Sequence, residues 1–500
     1  MVHRVRLQRK LNTFDVTNLV VGAIIGADIY VATGISAGLI GPSSLLAWIL
    51  AGLMAVTISI SFAYCVFLLP KVGGPYAYAR QVSTPFVGFT VGWALLLAEW
   101  FSLAVFPVAF VQYFMALVPG IDELTKILLK AVFIVIIIST NVIGVKAAGR
   151  VNDVLTLAKL SPLALIVIGG IFFMIGSPTT VASNLTPFFT GDAFAFGQAL
   201  ILIFWAYAGF ELSTLPADEV ERPERTIPRA MAIGMTIVVA FYLLTNLVVF
   251  SSVDEKTLSA STSPLIAAAS HIFADFSWLT PIIVAIVGVG ALVSIMGADE
   301  SGTIGTSRLA YAMSLDGLMP KVFSRTHSRF GTPYVGLLIL CLTAFVASLV
   351  GGLAALINAS VFLLAFVYLA TCVSTLLLVR RDPDAAKGLR GRRVVPILGI
   401  GLSLSLMALV NPSQILLSLV LLAVGVPVYR YLAPKKELAE QKAAYLSRES
   451  VLHRTYHQST RFLAFPVREM KHLVYKIRKV ERAWVSEEDE VPHKDDIIGR

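Results

Sequence analysis

The stretch Val20-Val21-Gly22-Ala23-Ile24-Ile25-Gly26-Ala27-Asp28-Ile29-Tyr30 places two glycines and a carboxylate inside an otherwise apolar run. Glycine weakens a helix and frees its backbone, and a carboxylate in hydrocarbon is costly. Backbone that opens at membrane depth is tolerated only where protein or a water-filled cavity receives it. The run therefore reads as an interrupted membrane crossing beside a cavity. A second run, Phe204-Trp205-Ala206-Tyr207-Ala208-Gly209-Phe210-Glu211-Leu212-Ser213, repeats the pattern with Gly209 and Glu211.

The surrounding composition supports a membrane setting. Of 500 residues, 57% are hydrophobic and 14% charged, against roughly 45–50% and 25% in soluble domains. A cytosolic enzyme is excluded. The charge is uneven, with 25 of the 71 Lys, Arg, Asp and Glu residues in 433–500. A crossing needs about 20 apolar residues. Windows at 14–38, 44–68, 86–118, 127–143, 151–175, 193–215, 230–251, 281–313, 334–350, 354–379, 394–410 and 413–432 make twelve.

Lys and Arg concentrate on the cytoplasmic side of membrane proteins. One side of this arrangement carries Arg4, Arg6, Arg9 and Lys10, then Lys71 and Arg80, Lys146 and Arg150, and Arg222, Arg225 and Arg229. It continues with Lys321, Arg325 and Arg329, and with the Arg380–Arg393 loop, while the other side has only Lys126, Lys130 and Lys256. Both termini are therefore expected in the cytoplasm. The basic Met1–Lys10 segment leads into a retained first crossing rather than a cleaved signal peptide. The net charge of +9 is explained by topology and anionic lipid, so the lipid membrane is an expected partner and nucleic acid is not.

Cys65, Cys341 and Cys372 lie in apolar runs and read as small hydrophobes. The polar tail 433–500 contains helical stretches at Lys435–Arg448 and Arg468–Trp484 and reads as a cytoplasmic extension. His453 and His457 lack a ligand framework, so no metal and no cofactor is expected. Gly302-Thr303-Ile304-Gly305 lacks the strand-to-helix context of a dinucleotide fingerprint, and no other enzyme signature stands out.

The two interrupted runs occupy the first and sixth windows. Secondary transporters use interrupted helices at equivalent positions of two inverted repeats, with half-helix N-termini facing anionic groups and freed carbonyls facing cations. The bland alternative is that Gly22, Gly26 and Gly209 only permit close helix packing.

At this point the sequence resembles the amino acid–polyamine–organocation (APC) family of permeases. Three stretches carry the resemblance: Gly22-Ala23-Ile24-Ile25-Gly26; Gly209-Phe210-Glu211 followed by Glu219-Val220-Glu221-Arg222-Pro223-Glu224-Arg225-Thr226-Ile227-Pro228-Arg229; and Ser307-Arg308-Leu309-Ala310-Tyr311-Ala312-Met313 through Asp316-Gly317-Leu318-Met319-Pro320 to Gly331-Thr332-Pro333.

The resemblance implies an all-α polytopic membrane protein of 12 transmembrane helices, a five-plus-five inverted repeat (the LeuT-like fold) with helices 1 and 6 broken. The expected parts are a cytoplasmic N-terminus at 1–13, a first repeat at 14–176, a second at 193–379, two further crossings at 394–432 and the tail at 433–500. It also implies proton- or cation-coupled transport of amino acids or related amines across the plasma membrane. The substrate would meet Ile24, Ile25, Gly26, Ala27 and Asp28 in the first break and Ala206, Tyr207, Ala208 and Gly209 in the second. Trp205 stands where relatives place an aromatic gate, and Glu211 matches a glutamate linked there to proton sensing.

Asp28, Glu99, Lys159, Glu211, Asp299 and Glu300 are the ionisable residues expected at membrane depth. Lys159 resembles a lysine that replaces sodium in some proton-coupled members, and it pairs by hypothesis with Asp299 or Glu300; the alternative is snorkelling to headgroups. Asp28 departs from the family's small residue. It reads as an N-cap, a proton or cation group, or a recogniser of a cationic amine. Glu99 reads either as a cavity residue or as a bond to a neighbouring helix. The sequence thus leaves three functions open: an amino acid transporter, an amine or polyamine permease of the same fold, and a transporter-like sensor signalling through the tail.

Overall fold

The computed structural model describes residues 11–71, 73–143, 145–215, 217 and 220–433, with side chains except those of 145–155 and 157. Arg4, Arg6, Arg9, Lys10, the Lys146 and Arg150 side chains, Glu219 and the tail from 434 lie outside the described residues, and with them the helical stretches and histidines expected there.

The described chain is helical, and its only non-helical pairing is a single bridge between Leu11 and Val220. The N-terminal helices are α1 (Thr13–Ile24), α2 (Ala27–Ile40), α3 (Ser44–Leu68), α4 (Gly74–Val82), α5 (Pro85–Leu117), α6 (Glu123–Ile143), α7 (Val145–Gly176) and α8 (Pro178–Asn184). There follow α9 (Ala193–Trp205), a 3-10 turn at Phe210–Thr214, α10 (Pro223–Ser252), α11 (Glu255–Ala260) and α12 (Pro264–Ile272). The C-terminal part holds α13 (Thr280–Leu315), α14 (Tyr334–Val350), α15 (Leu353–Arg381), α16 (Val394–Leu409) and α17 (Pro412–Leu432).

Among the described residues, nine helical stretches are long and apolar enough to cross a membrane. One of them, Thr13–Leu68, covers α1 to α3, while α14 and α16 are shorter apolar helices. Apolar side chains also cover much of the outside. Leu53, Val135, Phe172 and Leu416 are all more than half exposed, an arrangement suited to lipid and not to water.

Local chemistry sets the helix ends. Asn12 and Asp15 form a reciprocal capping box at the start of α1, with Asn12 N–H donating to Asp15 Oδ2 at 2.8 Å. Asp192 and Asp254 cap α9 and α11 by accepting from Ala195 and Thr257 N–H. The short helices α8, α11 and α12 fall between the expected apolar windows.

Contacts between distant loops divide the helix ends into two faces. On one, Glu221 N–H donates to the Leu11 carbonyl, Arg80 pairs with Asp316 at 2.7 Å, and Arg381 reaches the Gln81 carbonyl. On the other, Asn184 donates to the Ser251 carbonyl and Lys130 to the Ser348 carbonyl. The first face collects basic loops. In the interior, α5 packs chiefly against α15 and α13, and Cys65, Cys341 and Cys372 are buried and unpaired.

Candidate functional site

The first interruption spans two residues. Ile25 is extended at φ −75° and ψ 102°, and Gly26 at φ −149° and ψ −140° restarts the chain as α2. Gly26 is required by close approach: a Cβ there would stand 2.4 Å from Ala298 Cβ on α13 and 3.2 Å from a ring carbon of Phe106 on α5.

The second interruption follows Trp205. Ala206, Tyr207 and Ala208 close tight turns onto Ile203, Phe204 and Trp205, and Gly209 at φ +114° leads into the 3-10 turn. That φ favours glycine, and a Cβ at Gly209 would stand 2.8 Å from the Ala23 carbonyl oxygen. The two interruptions are thus in direct contact.

The carbonyls freed around the first interruption are already engaged. Lys159 Nζ donates to Gly22 O at 2.8 Å, Tyr242 OH to Ile24 O at 3.1 Å, and Ser294 Oγ to Ile25 O at 3.4 Å. This satisfies backbone that hydrocarbon would leave unpaired. At the second interruption Glu211 does comparable work. Gly209 N–H lies 3.1 Å from both of its carboxylate oxygens, and Tyr368 OH donates to Oε2 at 3.0 Å.

Both interruptions open onto one cavity of about 30 Å³, room for about one water and far below the ~300–1,000 Å³ of ligand pockets. Any larger guest requires the surrounding helices to move apart. Of the residues expected around a substrate, Asp28, Trp205, Ala208 and Gly209 line this cavity, joined by Glu211. Ile24, Ile25, Gly26 and Ala27 form the connecting backbone behind it, and Ala206 is buried outside the lining.

Tyr207 also lies outside the lining. Its hydroxyl donates to the Trp48 carbonyl, and its ring packs with Trp48 and Tyr242 at centroid distances of 5.8 and 5.2 Å. It belongs to an aromatic cluster that braces the interruption. Trp205 is held in place by Nε1 donating to Ser102 Oγ at 3.1 Å, and Ser102 in turn bonds Ser360 at 3.0 Å.

The buried charges sort into separate neighbourhoods. Asp28 is 4% exposed in the first turn of α2, where the helix N-terminus favours an anion. The N-cap itself is Gly26, so Asp28 does not hold the N-cap position; the Tyr242 hydroxyl also lies 3.2 Å from its Oδ2, so its single proton is shared between Asp28 and the Ile24 carbonyl. Lys159 is fully buried, so it does not snorkel; its amine bonds the Gly22 carbonyl, and among the described residues no ion pair joins it to Asp299 or Glu300. Asp299 is buried, and neither of its oxygens has a hydrogen-bond partner among the described residues. Glu99 lines the cavity within hydrogen-bonding reach of Glu211.

Several participants escaped sequence reasoning. Ser102, Leu103 and Phe106 follow Glu99 at i+3, i+4 and i+7, and all line the cavity. The helical period alone would have found them once Glu99 was taken as a cavity residue. Tyr242, Ser294 and Tyr368 carry no comparable signal.

The model of the amino acid permease family matches residues 11–428. The chain belongs to this family, within the APC superfamily. The chain is similar to the cystine/glutamate transporter of Homo sapiens, 28% identical over 440 residues covering 85% of each chain. The methylthioribose transporter of Bacillus subtilis (strain 168) is 27% identical over 455 residues, 86% of this chain and 95% of the relative. The branched-chain amino acid permease BcaP of the same organism is 25% identical over 445 residues, covering 85% and 92%. These are transporters, and the chain is a membrane transport protein, not an enzyme.

Proposed function

We propose that this permease is a secondary active transporter that moves amino acids across the plasma membrane by alternating access, driven by protons. The observation that carries the reading is the meeting of two chain interruptions, at 25–26 and 206–209, at a buried cavity lined from both. Such a meeting supplies the α2 N-terminus for a carboxylate and loop carbonyls for an ammonium. The carbonyls now bonded to Tyr242 and Ser294 exchange partners when the cavity widens.

On this reading the chain makes twelve crossings. The Thr13–Leu68 stretch counts as two, the other eight candidates as one each, and α14 and α16 complete the number. Residues 14–176 and 193–379 are the inverted repeats, 394–432 adds two crossings, and the face carrying the basic loops and both termini is cytoplasmic. Lys159 is the proposed proton carrier, with Asp28 and Glu300 as the acidic groups that respond to its charge. Glu211 ties the second interruption to the same event through Gly209 and Tyr368, and Asp299 is a further proton site.

A thermal-shift screen of the purified chain against the twenty amino acids, polyamines and simple amines tests the reading, because binding stabilises by mass action. Stabilisation by amino acids is expected. A flat screen, with no amino acid accumulated by proteoliposomes, would reject it.

A further inference from the structure

Away from the cavity between the interruptions, the basic face carries an open cleft of about 370 Å³, within the size range of ligand pockets. It lies where three long apolar stretches end: α3 at Leu68, α5 at Pro85 and α13 at Leu315. Its walls therefore stand at the depth of lipid headgroups. Lys71, Tyr76, Arg80, Gln81, Pro85 and Asp316 line it.

One wall of the cleft is clasped shut. Arg80 Nη1 donates to Asp316 Oδ2 at 2.7 Å and to Tyr76 OH at 2.6 Å, and Tyr76 OH donates to the same carboxylate oxygen at 2.6 Å. The other wall is not. Lys71 Nζ donates to Gln81 Oε1 at 2.9 Å, a neutral acceptor, and among the described residues no carboxylate pairs with it. An ammonium has three donors, so the exposed Lys71 keeps donors and a full charge for a further partner. The Gln81 amide nitrogen adds donors beside it. Arg381 Nη1, which donates to the Gln81 carbonyl at 3.4 Å, brings another cation next to the lining.

An ammonium, an amide and a neighbouring guanidinium at the membrane edge suit a phosphate group. The flanks of the cleft are apolar. Leu315, next to Asp316, is 63% exposed, and Val87, two residues after Pro85, is 40% exposed. A soluble phosphate compound gains nothing from such flanks, whereas the acyl chains of a lipid do.

We propose that this cleft binds the headgroup of an anionic phospholipid, with Lys71 recognising its phosphate. The bound lipid bears on the rest of the molecule through the junction of α3 and α4. There Gly73 N–H donates at 3.4 Å to the carbonyl of Leu215, the residue that follows the 3-10 turn of the second interruption.

The test is thermal shift of the full chain in detergent, titrated with phosphatidylglycerol, phosphatidylcholine or soluble glycerol phosphate. Phosphatidylglycerol is expected to stabilise by mass action, and phosphatidylcholine, whose choline cancels the phosphate charge, to do so far less. Lys71→Gln is expected to raise the half-saturating phosphatidylglycerol about fivefold, the worth of one lysine at a charged surface. Lys71→Arg is expected to keep wild-type binding. Arg325→Gln removes an exposed cation outside the cleft lining and is expected to leave binding unchanged. Equal stabilisation by the two lipids, or an equal loss in Arg325→Gln, would overturn the site. Glycerol phosphate matching phosphatidylglycerol would overturn the lipid assignment, because the apolar flanks would then contribute nothing. If Lys71→Gln does not fold, the wild-type comparison of the two lipids still decides.

Discussion

Gly209→Ala is the sharpest structural perturbation of the site. Gly209 has φ +114°, and an added methyl would lie 2.8 Å from the Ala23 carbonyl oxygen and 3.0 Å from its carbon. The backbone strain alone costs about 1–3 kcal/mol. The overlap is with backbone of α1, which cannot rotate away as a side chain would, and overpacking of this kind costs a further ~1–3 kcal/mol. A loss of about 2–6 kcal/mol is expected, or a shift of α1 away from the turn that deforms the cavity between them. Gly401→Ala is the control: it lies in α16 with nothing within 4 Å of an added Cβ, and helix propensity makes it neutral or stabilising by up to ~1 kcal/mol. The assay is thermal unfolding in detergent, paired with uptake in proteoliposomes. A Gly209→Ala protein matching wild type in both would refute the contact between the two interruptions.

Lys159→Gln keeps a donor for the Gly22 carbonyl but removes the cation whose charge reaches Asp28 and Glu300. Proton-driven uptake is expected to fall and its pH profile to flatten; an unchanged profile in proteoliposomes would end the coupling role. On the surface, the Thr257 hydroxyl and N–H hold the Asp254 carboxyl below its usual range. A depressed folded-state pKa stabilises above the unfolded value of ~3.9 and is lost as pH falls through the folded value. Asp254→Ala should therefore cost about 1 kcal/mol at pH 7, with the gap to wild type closing as melts are taken toward pH 3.

How much of this was legible in the sequence depends on distance along the chain. Gly26 and Asp28 showed themselves because a glycine and a carboxylate are anomalous against apolar neighbours. What secures the interruption did not, because Lys159, Tyr242 and Ser294 come from α7, α10 and α13 and reach α1 only through packing. Asp299 and Glu300 show the same limit. They are adjacent on α13, about 100° apart around the helix, and only the neighbouring helices decide that Asp299 is buried without a hydrogen-bond partner while Glu300 stays partly exposed. Tyr207 was expected beside the substrate from its place in the second interruption, but the tight turns after Trp205 carry it into the Trp48–Tyr242 cluster. The helices α8, α11 and α12, of 7, 6 and 9 residues, are too short to show as apolar windows.

The central claim is that the chain moves amino acids through this cavity at the expense of a proton gradient. Its most direct measurement is the accumulation of a labelled amino acid, chosen from the binding screen, in proteoliposomes bearing an imposed inward proton gradient. The account predicts accumulation above the equilibrium level that collapses when a protonophore is added. A protein that binds the amino acid but never moves it, or moves it unaffected by the protonophore, would contradict the account.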